Sequence, residues 1–191
     1  MQKVFTVVTP LGFVLFSLFV LASFAQTFGQ NESSLAETVQ SDNTYPDNNS
    51  AINSIDEYSH YFAAVTQKSV NLTKDYQDNV GKWKLGQISN ASMAKLTNDY
   101  LKNFTTQLNK FNQTNAPKPF EATKNSMSNS FSNEIKSYEF FRDYLTTGNE
   151  TKNQISTDYL SKSLEDEFDA FKSFNNVVNT TLSEPSSGLS T

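Results

Sequence analysis

The chain has 191 residues and no cysteine, and its 20 Asp and Glu outnumber its 15 Lys and Arg, so its net charge is −5. The missing cysteines exclude a disulfide framework, a thiolate zinc site and a thiol nucleophile. An acidic chain without a basic run argues against nucleic-acid binding, because phosphate contacts need Lys and Arg. With only six Gly and five Pro but 13% aromatic residues, it is neither collagen-like nor wholly disordered.

Residues 1–25 have the parts of a secretory signal peptide. Lys3 is their only charged residue, and a long apolar stretch follows it. Small residues, Ser23 and Ala25, then stand where a signal peptidase requires them. The sequence therefore predicts cleavage between Ala25 and Gln26.

An uncleaved membrane anchor is the alternative for the same segment. Residues 4–25 are long enough to span a bilayer as a helix. In that case they are the only part of the chain in the membrane. The positive residue near the start keeps it inside, so residues 26–191 are expected to lie outside the cell in either case.

An acidic tether is predicted between the leader and the folded part. Residues 26–52 contain no Lys or Arg, are rich in Asn, Ser, Thr and Gln, and show no sustained apolar period. Such a composition is typical of a disordered spacer. Its charge of −4 comes from Glu32, Glu37, Asp42 and Asp47. A second disordered stretch is predicted at the C-terminus, residues 183–191.

Two helices with apolar stripes are predicted in the first half of residues 53–182. Ser54 and Glu57 form a capping box for the first helix, and Gly81 is expected to end it. Ser89 or Asn90 is expected to cap the second helix, which runs to about Asn112. The first stripe is Ile55, Tyr58, Phe62, Val65, Ser69, Leu72, Tyr76 and Val80. The second stripe is Met93, Leu96, Tyr100, Phe104, Leu108 and Phe111.

Two further helices are predicted after the break at residues 115–119, where proline cannot continue a helix. The third runs from about Lys118 to Thr147, and Gly148 stops it. The fourth starts near Asn149 or Glu150 and runs to about Asn179. The third stripe is Phe120, Met127, Phe131, Ile135, Tyr138, Phe141 and Leu145. The fourth stripe is Leu160, Leu164, Phe168, Phe171, Val178 and Leu182.

The predicted fold class is all-α, since no segment shows the alternation of a β-strand. Four long helices with short connections favour antiparallel neighbours, and so an up-down-up-down four-helix bundle. The aromatic residues are expected to fill its core. The alternative is an aromatic-lined pocket that holds a small apolar molecule between the helices.

Two short motifs resemble those of uncharacterised exported helical-bundle proteins of archaea and bacteria. Residues 83–89, WKLGQIS, have the W-x-x-G-x-I-S turn that precedes a helix in such chains, and Ala116-Pro117 has their A-P step before another helix. The resemblance covers residues 54–182. It implies a helical bundle and a location outside the cell, and it implies no activity.

Chemical motifs are scarce, and no metal or cofactor is predicted. The only histidine, His60, falls on the helix face opposite the apolar stripe, so we expect it to be exposed rather than a ligand or a catalytic base. The densest acidic cluster fans around the fourth helix, which favours a solvated acidic face over a cation site. Its members are Glu165, Asp166, Glu167 and Asp169.

Four aromatic residues lie beside the stripes, and two interpretations of them stay open. They pack against a neighbouring helix, or they form an exposed patch for a protein partner or for self-association. These residues are Tyr61, Trp83, Phe140 and Tyr144.

Eight Asn-x-Ser/Thr sequons are candidate glycosylation sites in an exported chain. None lies at the centre of an apolar stripe, so all are expected on the surface. They begin at Asn31, Asn48, Asn71, Asn90, Asn103, Asn112, Asn149 and Asn179.

The sequence therefore predicts a secreted or membrane-anchored bundle that is not an enzyme. Its expected task is interaction at the cell surface or envelope. The alternative is a ligand-binding or sensory bundle that holds a small apolar molecule.

Overall fold

The computed structural model describes Ile52 and residues 54–183, with side chains as far as Thr181. Within this part the chain is helical and has no β-strand, which confirms the predicted fold class. A short 3-10 turn, Lys118–Phe120, precedes the third helix. The four helices are α1 (Ile55–Lys84), α2 (Asn90–Gln113), α3 (Glu121–Thr147) and α4 (Glu150–Ser183). The predicted signal peptide, its cleavage site, the tether apart from Ile52, and the tail after Ser183 lie outside the described residues.

The predicted caps begin α1 and α2. The Glu57 amide donates to Ser54 Oγ at 3.0 Å, and the Ser54 amide donates back to Glu57 Oε2 at 3.3 Å. These two bonds satisfy free donors at the start of α1, as a capping box does. Ser89 caps α2 by accepting from the Ser92 amide at 3.1 Å. Both helix starts were therefore readable from local sequence.

The predicted end of α1 at Gly81 is wrong. The helix continues through Gly81 to Lys84, and the turn comes at Gly86, whose φ is +71°. A left-handed φ strains a side chain with a Cβ, so glycine is needed at Gly86 but not at Gly81. The α3 terminus is as predicted, because Gly148 takes φ +68° and donates its amide to the Tyr144 carbonyl.

The stripes predicted for α1, α2 and α3 form the core. All of their residues are buried or half-buried. Large rings meet where the start of α1 faces α4, because Phe62 stacks on Phe174 with centroids 4.7 Å apart. Tyr58 of α1 contacts Phe120 at 4.8 Å, just before α3 begins. Aromatic contacts thus join elements that are far apart in sequence.

The stripe predicted for α4 is partly wrong. Phe168 is 58% exposed, whereas Phe174, which the stripe left out, is fully buried. The reason is that α4 turns a row of small residues toward α3. Spaced seven apart, Ser156, Ser163 and Ala170 are all buried, and this spacing keeps residues on one seam between two helices. Phe168 is thereby directed outward.

A matching row of small residues lies on α3. Thr123, Ser130 and Ser137 are also seven apart and buried. Their hydroxyls meet those of α4 at 3.1 to 3.2 Å, in the pairs Thr123–Ser173, Ser130–Ser163 and Ser137–Ser156. Small side chains let the two backbones approach, and the hydroxyl pairs satisfy the polar atoms that this approach buries. We call this contact the α3–α4 seam.

Replacing Phe62 tests the assignment of the core. We expect Phe62→Ala to lower the free energy of unfolding by about 3–5 kcal/mol, since it leaves a cavity among buried rings. Phe168→Ala is the matched control and is expected to change it by less than about 0.5 kcal/mol. Urea denaturation followed by circular dichroism measures both. A larger loss for Phe168→Ala would contradict the assigned rotation of α4.

Candidate functional site

The interior contains a carboxylate, Glu134 of α3, that is only 6% exposed. Two hydroxyl groups donate to its Oε1 atom, Thr73 of α1 at 2.8 Å and Tyr138 of α3 at 2.7 Å. Burial disfavours the charged form and raises the pKa of Glu134, although the two hydrogen bonds pull it back in part. The bond from Thr73 connects α1 to α3, and the bond from Tyr138 lies within α3.

A second carboxylate, Glu167 of α4, lies near the first. Burial is the main cause that raises its pKa from 4.5 to about 7, and the negative charge of Glu134 adds to the shift. This corrects the prediction of a wholly solvated acidic cluster, because Glu167 turns inward. Asp166 is not wholly solvated either, because it accepts a hydrogen bond from Asn133 at 2.8 Å. Glu165 and Asp169 are exposed, as predicted.

Tyrosines extend the polar interior toward α2. Thr97 Oγ1 donates to the Met93 carbonyl, so the hydroxyl of buried Tyr76 donates to Thr97, 3.0 Å away. Tyr100 donates to Asp75 and accepts from Asn79 Nδ2. Burial, then the neighbouring Asp75, raises the pKa of Tyr100 to about 12. These phenols stay protonated at neutral pH and serve as hydrogen-bond donors between helices.

Glu134, Tyr76 and Tyr138 take part in hydrogen bonds within the interior. Burial raises the pKa of both Glu134 and Glu167, and the charge of Glu134 adds to the shift at Glu167, so ionising both acids together is disfavoured. Among the described residues, no group of three His, Asp or Glu is arranged to hold a metal ion. His60 is on the solvent side, where its Nε2 lies 3.6 Å from Asp56, and its side chain is 64% exposed. The predicted exposure of His60 is therefore confirmed.

The outer surface carries a second cluster, which we call the aromatic–lysine patch. Phe140 of α3 and Tyr159 of α4 lie nearly parallel, at 7°, with centroids 5.6 Å apart. The ammonium of Lys152 is 4.8 Å from the Phe140 centroid, and those of Lys136 and Lys162 are each 5.3 Å from the Tyr159 centroid. Such distances are typical of cation–π contacts. Both rings are half-buried, so the patch faces solvent.

No direct sign of this patch is visible in the sequence, because its residues come from two helices whose pairing the sequence does not specify. Its three lysines make no ion pair with any carboxylate among the described residues. The helix pairing along the α3–α4 seam brings them together. The one signal of the patch in the sequence is the spacing of Lys152 and Tyr159, which are seven positions apart, as the residues of the α3–α4 seam are.

The four aromatic residues predicted as interaction candidates lie in three places. Tyr61 is only 4% exposed, stacks parallel to Phe111, and accepts a hydrogen bond from Thr114. Tyr61 is therefore a core residue, which favours packing against a neighbouring helix over an exposed patch at this position. Trp83 and Tyr144 are half-buried and contact each other edge to face at 6.4 Å. Only Phe140 belongs to the aromatic–lysine patch.

The sequons that the structure describes are on the surface. Each of their six asparagines is exposed, including Asn149 at the turn before α4 and Asn90 at the start of α2. Trp83 Nε1 donates to Asn90 Oδ1 at 2.7 Å, which leaves the amide nitrogen of Asn90 uninvolved in that bond. The remaining four are Asn71, Asn103, Asn112 and Asn179. Asn31 and Asn48 lie outside the described residues.

Because burial raises the pKa values of Glu134 and Glu167, we expect the domain to lose stability as pH rises. Both carboxyl groups have raised pKa values in the folded state, so folding favours their protonated forms. The contribution of Glu167 is complete below about pH 4.5 and is lost as pH rises through about 7, and that of Glu134 has the same sign. For Glu167 the loss is at most about 3 kcal/mol. Urea denaturation at pH 5, 6, 7 and 8 measures it.

Glu167→Gln is expected to flatten this pH dependence, because the amide does not ionise. Glu165→Gln, two residues earlier and exposed, is the control and should retain the wild-type slope. An unchanged slope in Glu167→Gln would contradict the assignment of the shift to the inward-facing acid.

The described helices include no membrane span, and known proteins offer no match to the chain. None of the described helices combines the length and the apolar character that crossing a bilayer requires. No protein-family model, curated protein or solved structure matches the chain.

Proposed function

We propose that this chain is an exported, non-enzymatic protein that acts by interaction at the cell surface or envelope. Its helices form an up-down-up-down bundle, and the aromatic–lysine patch is the surface that meets the partner. The observation that carries this function is the half-buried Phe140–Tyr159 pair at the surface, with three lysines that make no ion pair among the described residues.

Pairwise contacts support the antiparallel order. Between α1 and α2, Trp83 bonds to Asn90, Tyr76 to Thr97, and Thr114 to Tyr61. The residue numbers fall along α1 as they rise along α2, as they do for antiparallel neighbours. The hydroxyl pairs of the α3–α4 seam follow the same rule.

The interior supports a role without catalysis. A nucleophile or a general base must face a space that admits substrate. The Glu134 carboxylate instead accepts from Thr73 and Tyr138 and is shielded from solvent. The only histidine is on the opposite side of α1 from the core. The polar groups inside thus serve the packing of helices.

The patch supports a role in interaction. Aromatic side chains contribute strongly to binding because they bury large areas at a low cost in side-chain entropy. Phe140 and Tyr159 are held in place by stacking, so little further order is lost when a partner binds. The lysines place ammonium groups beside the rings, where they can pair with individual carboxylates of a partner.

Export is supported by the sequence of residues 1–25, and a glycoprotein by the exposed sequon asparagines. If cleavage fails, residues 4–25 anchor the protein to the membrane and the bundle still lies outside. The resemblance to uncharacterised exported bundles stays a prediction that agrees with this location.

A second candidate function is a ligand-binding or sensory bundle. One observation favours it: the Tyr58 hydroxyl is fully buried and has no hydrogen-bond partner among the described residues. The surrounding rings, among them Tyr61, Phe62 and Phe120, are apolar. A small, mostly apolar molecule with one polar group would suit this environment, and its binding would raise the melting temperature.

Mass spectrometry of the protein from its native host tests the location. We expect the mature N-terminus at Gln26 in the secreted fraction, because signal peptidase cleaves after small residues. We also expect glycan mass on exposed sequons, with Asn149 in its turn among them. Met1 at the N-terminus of membrane-bound protein would favour the anchor. Recovery from the cytoplasm alone would contradict export.

Binding of the purified chain to intact host cells tests the interaction surface. We expect Phe140→Ala with Tyr159→Ala to weaken binding at least about tenfold, since aromatic anchors at interfaces are worth about 2 kcal/mol. Phe168→Ala removes an exposed ring from the other side of α4 and is the control. Circular dichroism verifies that both variants fold. Equal binding by the double variant and the control would contradict the proposed surface.

A further inference from the structure

We propose that Asn149 is the sequon that the folded domain presents for N-glycosylation, and that the helices prevent modification of the other five sequons in the described residues. This inference rests on the proposed export and names the residue that is modified. It follows from the position of Asn149 between two helices, from the angle between sequon residues within a helix, and from the hydrogen bonds of the sequon hydroxyls.

The motif itself sets a geometric requirement. A sequon is defined by an asparagine and by a hydroxyl group two positions later, so a transferase must contact both side chains. Successive residues of an α-helix are rotated by about 100°, and positions i and i+2 therefore point about 200° apart. A folded helix directs the two groups to nearly opposite sides, where one active site does not reach both.

Asn149 escapes this restriction because it lies in the turn between α3 and α4. Its Oδ1 accepts a hydrogen bond from the Thr151 amide at 3.0 Å, which brings the carboxamide next to Thr151. Neither Asn149 Nδ2 nor the Thr151 hydroxyl donates a hydrogen bond to a described residue. Both residues are exposed, and a Cβ on Gly148 would meet no atom within 4 Å, so the turn has open space beside it.

Two other sequons lie well inside helices. Asn71 and Thr73 are in α1, and the Thr73 hydroxyl donates inward to Glu134 at 2.8 Å. Asn103 and Thr105 are in α2 and are both exposed, but the rotation of the helix separates their side chains. A transferase could use these sequons only after the helix opens locally, which costs free energy in the middle of a packed element.

The three remaining sequons of the described residues, which begin at Asn90, Asn112 and Asn179, have hydroxyls that are already bonded. The bonds join Ser92 Oγ to Ser89 Oγ at 3.0 Å, Thr114 Oγ1 to the Tyr61 hydroxyl at 2.8 Å, and Thr181 Oγ1 to the Val177 carbonyl at 2.9 Å. A transferase would have to break these bonds first. Asn149 requires no such step, because its sequon is already accessible in the folded chain.

The donor for this reaction is a glycan that is joined through its anomeric carbon to a phosphate carrier. Asn149 Nδ2 forms a bond to that carbon while the bond from the carbon to the phosphate oxygen breaks. The phosphate leaves with the electron pair, and a proton from Nδ2 passes to a base of the transferase. The product carries a bulky, hydrated group at the surface turn that joins α3 to α4.

Incubation of the purified chain, expressed from Gln26, with membranes of the native host tests the proposal. These membranes supply the transferase and the carrier-linked glycan, and peptide mass spectrometry measures the occupancy of each sequon. We expect the occupancy of Asn149 to exceed that of Asn103 at least about tenfold, because Asn103 needs local opening of α2.

Two matched variants test the role of the hydroxyl. Thr151→Ala should lower the occupancy of Asn149 at least about tenfold, since the sequon then lacks its hydroxyl group. Thr105→Ala removes the hydroxyl of an exposed sequon in α2 and is the control, which should leave the occupancy of Asn149 within about twofold of the wild type. Circular dichroism verifies that both variants fold.

A peptide with the sequence of residues 101–107 separates the effect of the helix from that of the local sequence. It contains the sequon of Asn103 but is too short to form a stable helix. We expect the transferase to modify this peptide, although it leaves Asn103 of the folded chain largely unmodified.

Three results would overturn the proposal. These are equal occupancy of Asn103 and Asn149 in the folded chain, no glycan on Asn149, and a peptide of residues 101–107 that stays unmodified while Asn149 is modified. None of them decides the proposed function. The assay brings the chain to the transferase directly, whereas mass spectrometry of the secreted fraction tests export and the cell-binding assay tests the aromatic–lysine patch.

Discussion

The close contact between α3 and α4 along their small residues determines most of the other features of this domain. Serines and Ala170 at seven-residue spacing fix the rotation of α4 about its own axis. That rotation brings Glu167 inward, near Glu134, and directs Phe168 to solvent. It also sets Tyr159 beside Phe140 on the outside. The interior acids and the outer patch are thus two results of one packing contact.

The acid pair has a cost that the rest of the core must offset. A buried carboxylate is unfavourable unless hydrogen bonds replace its water, and a second nearby acid adds repulsion. Thr73 and Tyr138 supply hydrogen bonds, so the carboxylate of Glu134 ties α1 to α3. An apolar residue in place of Glu134 would cost less to bury. It would also fix the position of α1 less specifically, because the hydrogen bond from Thr73 sets one register between α1 and α3. Burying Glu134 thus lowers stability but gives α1 a defined position against α3.

The sequence was sufficient for the features that depend on local chemistry. Apolar periodicity identified the helices, and Ser54, Ser89 and Gly148 marked three of their ends. It failed where the neighbouring helix decides. The apolar pattern placed Phe168 in the core because it counts only apolar residues as interior. Serine is nevertheless an interior residue here, since the hydroxyls of Ser130 and Ser163 pair with each other. Glu167 and the three lysines of the patch were missed for the same reason, since their environments come from other segments.

Charge is divided along the chain in a way that bears on the outer surface. Residues 54–183 contain 14 Lys and Arg and 15 Asp and Glu, so most of the net charge of −5 lies outside the helices. Two of those acids are Glu134 and Glu167, whose carboxyl pKa values burial raises. Helices α3 and α4 together hold six Lys and Arg against ten Asp and Glu, whereas α1 and α2 hold seven against five. The three lysines of the aromatic–lysine patch therefore belong to the more acidic pair of helices, and net charge alone does not make that side attractive to anions.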